Sequence, residues 1–168
     1  IPSNFKYIHL GIPTDEEKAN WLERWEKHLP KKGDLVLFDR SWYTRALIEP
    51  TLGYCTKTEY KKFMNNVNKW EKNLIKSDIE LIKFYFSIDQ DQQKRRLSAR
   101  KNSKLKYWKL SKSDQMMVDK WDLFTLYKNQ MFDITSTQIA PWVVVNANNK
   151  MIARLSALRY LLNSFDYE

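Results

Sequence analysis

Apolar residues in this chain recur alternately at helical spacing and in short continuous runs, and polar capping residues punctuate the change. Thr14 followed by Glu17 has the form of a capping box, in which each side chain satisfies the other residue's backbone N–H. The helix it opens carries Trp21, Leu22, Trp25 and Leu29 inward and stops at Pro30 and Gly33. Leu35–Phe38 is a continuous apolar run, the pattern of a strand buried on both faces. Thr56 and Glu59 repeat the capping box, and the helix behind them aligns Phe63, Val67, Trp70 and Leu74 on one stripe. Residues 79–88 are rich in β-branched and aromatic side chains and predict a second buried strand. A polar helix from Asp89 to about Arg100 follows. Ser111 and Asp114 are placed to cap a long helix reaching about Phe132, with Met117, Trp121, Phe124 and Met131 inward. Residues 141–145 give a third strand and 151–162 a last helix.

Strands alternating with helices predict an α/β fold, a parallel sheet covered by helices on both faces. No repeat, low-complexity stretch or Gly/Ser linker interrupts the 168 residues, so one domain is expected. Ligands in such sheets gather at the carboxyl ends of the strands. That rule selects Asp39, the stretch from Ser87 to Asp91, and the stretch from Asn146 to Asn148.

Composition narrows the classes. Hydrophobic residues make up 43% of the chain, enough for a core. Cys55 is the single cysteine, which excludes an internal disulfide and a metal–thiolate cluster. No apolar run approaches the roughly 20 residues of a bilayer span, and the first residues lack a charged-then-apolar signal pattern. A soluble, cytoplasmic protein without a membrane partner is the expectation. His9 and His28 lack metal-ligand spacing and read as ordinary surface or packing residues.

The net charge of +9 is concentrated in one place. Between Lys94 and Lys112 stand nine basic residues and no acidic one: Lys94, Arg95, Arg96, Arg100, Lys101, Lys104, Lys106, Lys109 and Lys112. Outside that segment the remaining 20 basic residues balance the 20 acidic ones. A solvated helical face ordinarily mixes both signs, so a one-sign run points to a polyanionic partner. Arg96 and Arg100 lie four apart, so one helical face presents both guanidinium forks to the same anionic partner. Asp39, at the end of an apolar strand, stands where P-loop enzymes hold Mg²⁺, and Arg40 and Arg45 beside it suit phosphate oxygens.

The stretch from Phe38 to Ala46, Phe-Asp-Arg-Ser-Trp-Tyr-Thr-Arg-Ala, resembles the Walker B signature of family-2 polyphosphate kinases, departing from it only at Thr44 in place of Asn. Glu49 and Leu52-Gly53-Tyr54 continue the likeness. So do Arg96, Arg100, Lys106-Tyr107-Trp108-Lys109-Leu110-Ser111 and Asp114 in a lid of about residues 89–115, then Lys120-Trp121-Asp122, Ala140-Pro141-Trp142 and Arg154-Leu155. The resemblance implies a P-loop kinase-like fold with a helical lid. It also implies a Mg²⁺-dependent phosphotransferase acting between inorganic polyphosphate and a nucleotide (ADP, GDP or AMP), often as a homo-oligomer. It would place Mg²⁺ on Asp39, and Arg40 and Arg45 on the reacting phosphates. Arg96, Arg100, Lys106 and Lys109 would lie along polyphosphate, with Arg100 reaching the reacting end. Glu49 and Asp122 match acidic positions of the family without an assigned step.

One family element is missing. A Gly-rich phosphate loop ending in Gly-Lys stands upstream of the Walker B strand in the family, and the three scattered glycines here do not make one. The expectation is a chain shortened at its N-terminus, Ile1 not being an initiator, and inactive by itself for want of that loop. Two other functions fit part of the pattern: a thymidylate- or nucleoside-kinase-like P-loop enzyme, and a non-catalytic RNA- or polyanion-binding module using Tyr107 and Trp108 as stacking platforms. The Ser-Trp-Tyr continuation and the lid motif favour the polyphosphate enzyme, and nucleic acid is not the expected partner.

Overall fold

A computed structural model describes residues 4–165, with Lys112 described by its backbone alone. The chain forms two compact units, Ile1–Ile79 and Glu80–Glu168. Each contains a two-stranded parallel sheet with helices, so the α/β class expected from the sequence is the class observed. Among the described residues no helix is long and apolar enough to cross a membrane.

The first unit runs β1 (Phe5–Ile8), α1 (Asp15–Ala19), α2 (Glu23–Glu26), β2 (Leu35–Phe38), a 3₁₀ turn (Trp42–Arg45), α3 (Ile48–Leu52) and α4 (Lys57–Lys76). β1 pairs with β2 from Phe5↔Leu35 to Ile8↔Phe38. The sequence pattern had not predicted β1, because four alternating residues without a turn signal make too short a template. The helix expected from Thr14 onward divides in two. Its capping box forms as predicted, but at Asn20 the backbone leaves the helical region (φ −110°, ψ 56°), and α2 follows after a turn. Asn favours such exits because its side chain competes for nearby backbone groups. Trp21 and Trp25 are buried all the same. β2 is more open than its apolar run implied. Val36 and Phe38 are half-buried, while Leu35 and Leu37 on the other face stay exposed.

An aromatic cluster fills the interior of this unit. Trp25 meets Phe38 edge-on at 5.7 Å and Trp42 at 6.3 Å, and Trp42 meets Trp70 at 4.8 Å. Edge-to-face packing of this kind adds to the area buried. α4 buries Phe63, Val67 and Leu74 of the predicted stripe together with Met64, while Trp70 is half-buried and donates to Glu26 Oε1 at 2.6 Å. Its capping box is complete: Glu59 N–H reaches Thr56 Oγ1 at 3.2 Å, and Thr56 N–H reaches Glu59 Oε2 at 2.7 Å. Thr56→Ala should therefore lower stability by about 1 kcal/mol, read as a shift in the urea midpoint at constant slope.

The second unit runs β3 (Lys83–Ser87), α5 (Gln90–Lys101), a 3₁₀ turn (Tyr107–Lys109), α6 (Lys112–Asp119), α7 (Trp121–Thr135), β4 (Trp142–Asn146) and α8 (Lys150–Asn163). β3 and β4 pair from Lys83↔Trp142 to Ser87↔Asn146. β3 starts later than the apolar pattern suggested, since only residues from Lys83 onward lie opposite β4. The long helix expected from Ser111 to Phe132 breaks at Lys120 (φ −105°), which ends α6 and begins α7. No Gly or Pro announces that break, so the continuous apolar spacing concealed it. Val145, Ala147 and Ala153 form a small buried core under Phe84, Ile88 and Val143. Lys83 is buried on the other face, where its ammonium donates to Thr135 O at 2.8 Å and lies 5.1 Å from the Trp142 ring centre.

Candidate functional site

In the first unit the parallel pairing carries the chain from β2 directly to Asp39, whose N–H donates to Ile8 O at 2.9 Å. The side chain of Asp39 is about half exposed. Its Oδ2 accepts from the Tyr7 hydroxyl at 2.6 Å and lies 3.2 Å from His9 Nδ1. Hydrogen bonding to Asp39 is the main cause that raises the Tyr7 pKa, since the bond holds the phenol in its protonated form. Tyr7 is not among the residues expected from the sequence, and His9, expected as an ordinary surface or packing residue, is exposed but reaches Asp39. Their spacing of two puts both on one side of the extended segment, Tyr7 within β1 and His9 just past its end, a signal readable only once β1 is known to pair with β2.

Tyr7 and His9 both address Oδ2, leaving Oδ1 of Asp39 without a hydrogen bond among the described residues. No group of three or more His, Cys, Asp or Glu side chains there is arranged to hold a metal. A single half-exposed carboxylate does fit Mg²⁺, which keeps several waters and is commonly bound through one or two carboxylates plus substrate phosphates. Arg40 follows in the left-handed region (φ 64°), a strained conformation for a residue with a Cβ. It is exposed and makes no ion pair among the described residues.

Arg45, predicted as a second phosphate ligand, faces the opposite way. It is 1% exposed. Its Nε lies 2.6 Å from Glu49 Oε2, another terminal nitrogen 3.2 Å from Glu59, and a third donates to Lys18 O at 3.3 Å. The guanidinium also lies 4.2 Å from the Trp21 ring centre. The Arg45–Glu49 contact is electrostatic, for neither atom makes a well-aligned hydrogen bond. In this structure Arg45 is therefore a buried anchor of the turn after Asp39, with no donor presented to a phosphate. Trp42 anchors the same turn: its carbonyl accepts from Trp21 Nε1 at 2.8 Å, and its indole donates to buried Glu71 at 2.9 Å. Burial raises the Glu49 pKa despite the opposing pull of Arg45. Burial also pushes the Cys55 thiol up to about 12, which favours its protonated form.

In the second unit the carboxyl ends of both strands meet, as the alternation of strands and helices predicted. Asp89, which caps α5, accepts from Asn148 Nδ2 at 2.7 Å, and Asp89 N–H donates to Asn148 Oδ1 at 3.1 Å. Arg96 on α5 donates to Ala147 O and, at 3.2 Å, to Asn148 O. Arg100 lies 3.6 Å from Asp114. Lys94, Arg95, Lys101, Lys104, Lys106 and Lys109 are exposed. The ammonium of Lys109 sits 5.0 Å from the centre of the exposed Trp108 ring. The side chain of Lys112 lies outside the described residues. The structure thus keeps Arg96, Arg100, Lys106 and Lys109 on one basic stretch and partly engages the two arginines with the protein itself. Lys150, which opens α8, was not singled out from sequence. Its pKa is lowered chiefly by the positive charge of Arg96, then by desolvation, Arg100, Lys106 and Arg154.

Residues 2–168 match the family described as Polyphosphate kinase 2 (PPK2). The chain is 42% identical over 99% of its length to the GDP-polyphosphate phosphotransferase of Mycolicibacterium smegmatis, of which it covers 59%. It is likewise 42% identical over 99% of its length to NDP-polyphosphate phosphotransferase 2 of Ruegeria pomeroyi, covering 48% of that protein. The crystal structure of polyphosphate kinase 2 from Arthrobacter aurescens TC1 superimposes with a TM-score of 0.89 at 35% identity, over 97% of this chain and 58% of that one. The chain therefore spans about half to three-fifths of the length of these relatives.

Proposed function

The chain belongs to the polyphosphate kinase 2 family, and from that membership we propose that the protein moves a phosphoryl group between inorganic polyphosphate and a nucleoside di- or monophosphate. An oxygen of the nucleotide's last phosphate bonds to the terminal phosphorus of the chain as the bridging P–O bond breaks, so the chain shortens by one phosphate. The observation that carries this reading is the segregation of charge. The excess positive charge stands on one stretch around α5 and the turn after it, where Lys94, Arg95, Lys101, Lys104, Lys106 and Lys109 are exposed, far more than a mononucleotide's few phosphates require.

Phosphoryl transfer asks little covalent chemistry of the protein; it needs alignment and neutralised charge. Asp39 is the residue that would hold Mg²⁺, with Tyr7 and His9 fixing its carboxylate from one side. Mg²⁺, when bound, neutralises phosphate oxygens. Arg40, exposed and held in a strained turn beside Asp39, is the guanidinium available to a reacting phosphate. In the second unit, Arg96, Arg100, Lys106 and Lys109 would hold phosphates of the polyphosphate chain.

Replacing Lys106 and Lys109 with Ala separates polyphosphate from nucleotide chemistry. Each neutralised phosphate releases counterions, by analogy with nucleic acids. The double variant should bind polyphosphate at least roughly tenfold more weakly with a flatter salt dependence, while affinity for ADP changes little. Titrations at two salt concentrations against chains of different length give the answer. Equal losses for ADP and polyphosphate would mean that this surface is not a polyphosphate track. Affinity for RNA that survives loss of Asp39 would instead favour a nucleic-acid module, although Lys109 already lies over the ring such stacking would use.

A further inference from the structure

Two helices of the second unit each carry a pair of cations four residues apart. On α5 these are Arg96 and Arg100, and on α8 they are Lys150 and Arg154. Side chains four apart share a helical face. Arg96 ties the two helices together, because its guanidinium donates to Ala147 O and Asn148 O in the loop that leads into α8. The Asp89–Asn148 hydrogen bonds hold the same loop against the start of α5. Lys150 follows that loop directly. The result is a convergence of like charges whose cost nothing nearby relieves for Lys150: its ammonium makes no ion pair among the described residues. Among the described residues neither nearby carboxylate pairs with Lys150: Asp89 is held by Asn148 and Gln92 N–H, while Asp114 is shared between the Ser111 cap and Arg100, which gives that one cation a partial counter-charge. Like charges gathered in this way disfavour one another and favour an anion placed among them. The depressed Lys150 pKa, led by Arg96, reports the same repulsion.

The α8 amides are not the attraction. Asn149 Oδ1 already accepts from Met151 N–H at 3.0 Å and Ile152 N–H at 3.2 Å, so the helix terminus is capped by the protein. Side-chain cations are what remains for a ligand, and Lys150 and Arg154 are both exposed.

We propose that Lys150 and Arg154 of α8, with Arg96 and Arg100 of α5, form one phosphate-binding subsite at the carboxyl end of β3 and β4, and that it holds a stretch of the inorganic polyphosphate chain. This deepens the proposed function and rests on it. The site takes a polyanion because, even with the Asp114 carboxylate set against Arg100, the cations of the two helices exceed the charge of any single phosphate group. Arg96 has a double part: it fixes the β4–α8 loop and thereby sets where Lys150 stands.

The test uses the full-length protein and three probes: tripolyphosphate, long-chain polyphosphate and ADP. The variants are Lys150→Met, Arg154→Met and their combination. Lys69→Met, an exposed lysine of α4 given no role here, controls for loss of net charge. Thermal melts check that each variant is folded, and Lys150→Gln and Arg154→Gln serve as alternatives should a Met variant fail to fold. The combined variant is expected to weaken both polyphosphates at least roughly tenfold and to reduce the salt slope by about two, with ADP affinity and the Lys69 variant unchanged. Wild-type polyphosphate affinity and salt slope in the folded combined variant would overturn the subsite. Equal weakening of ADP and polyphosphate would overturn the assignment to the inorganic chain, placing a nucleotide phosphate there instead. A wild-type protein that binds no polyphosphate would refute the proposed function itself, a result distinct from the other two.

Discussion

Asp39→Asn in the full-length protein is expected to lower polyphosphate-driven nucleotide phosphorylation by roughly two to three orders of magnitude, the scale of losing one electrostatic group of a phosphoryl-transfer site. Asn occupies almost the same volume and keeps an oxygen that accepts the Tyr7 hydroxyl, so the contact at 2.6 Å survives. What disappears is the negative charge on a half-exposed group at the end of β2, the one feature that an ordinary turn residue would not need. Thermal stability should therefore stay close to wild type while turnover collapses, and raising Mg²⁺ should recover only part of the loss. Direct titration with Mn²⁺ as a spectroscopic stand-in should show weaker binding in the presence of polyphosphate. Near wild-type turnover at ordinary Mg²⁺ would remove Asp39 from the mechanism.

The second large effect is on stability, and it separates two roles for Arg45. If Arg45 is the buried anchor seen here, Arg45→Ala strands Glu49, itself only 7% exposed, without its counter-charge. Removing one partner of a buried pair costs about 3–5 kcal/mol, which urea unfolding would register directly. Replacing both members with apolar residues, Arg45→Met with Glu49→Leu, should return much of that loss, because no charge is then left in the interior. The pH dependence follows from Glu49. Burial already raises its pKa in the folded state, so the penalty of its charge is felt above that folded value and relieved as pH falls through it. The gap between Arg45→Ala and wild type should accordingly narrow toward acid pH. Had Arg45 been a phosphate ligand, Arg45→Ala would instead raise KM for polyphosphate and leave the urea midpoint where it was.

The contrast between Arg45 and Asp39 shows what the sequence made legible. Local chemistry was readable: the three capping boxes at Thr14, Thr56 and Ser111 all form, since each depends on residues three apart. Strand-end placement was readable as well, because an apolar run followed by Asp fixes where the carboxylate emerges, and the ends of β3 and β4 do meet through Asp89 and Asn148. What remained hidden depended on partners distant in sequence. Arg45 looked like a phosphate ligand beside Asp39 and Arg40, yet Glu59, Lys18 and Trp21 draw it inward, and spacing along the chain says nothing about that competition. Tyr7 and His9 reach Asp39 from about 30 residues away through a strand too short to predict. Lys150 stood outside the one-sign segment and joined it only when the β4–α8 loop folded against Arg96. The break at Lys120 lacked any Gly or Pro to mark it.

The proposed activity is a phosphoryl transfer whose donor or acceptor is inorganic polyphosphate. The most direct measurement incubates the full-length protein and Mg²⁺ with GDP, ADP or AMP and polyphosphates of defined length, and follows the phosphorylated nucleotide together with the shortening of the chain. One phosphate should be lost from the chain for each nucleotide phosphorylated, with affinity rising with chain length and falling with salt. Phosphorylation that requires a nucleoside triphosphate donor and is indifferent to polyphosphate would contradict it.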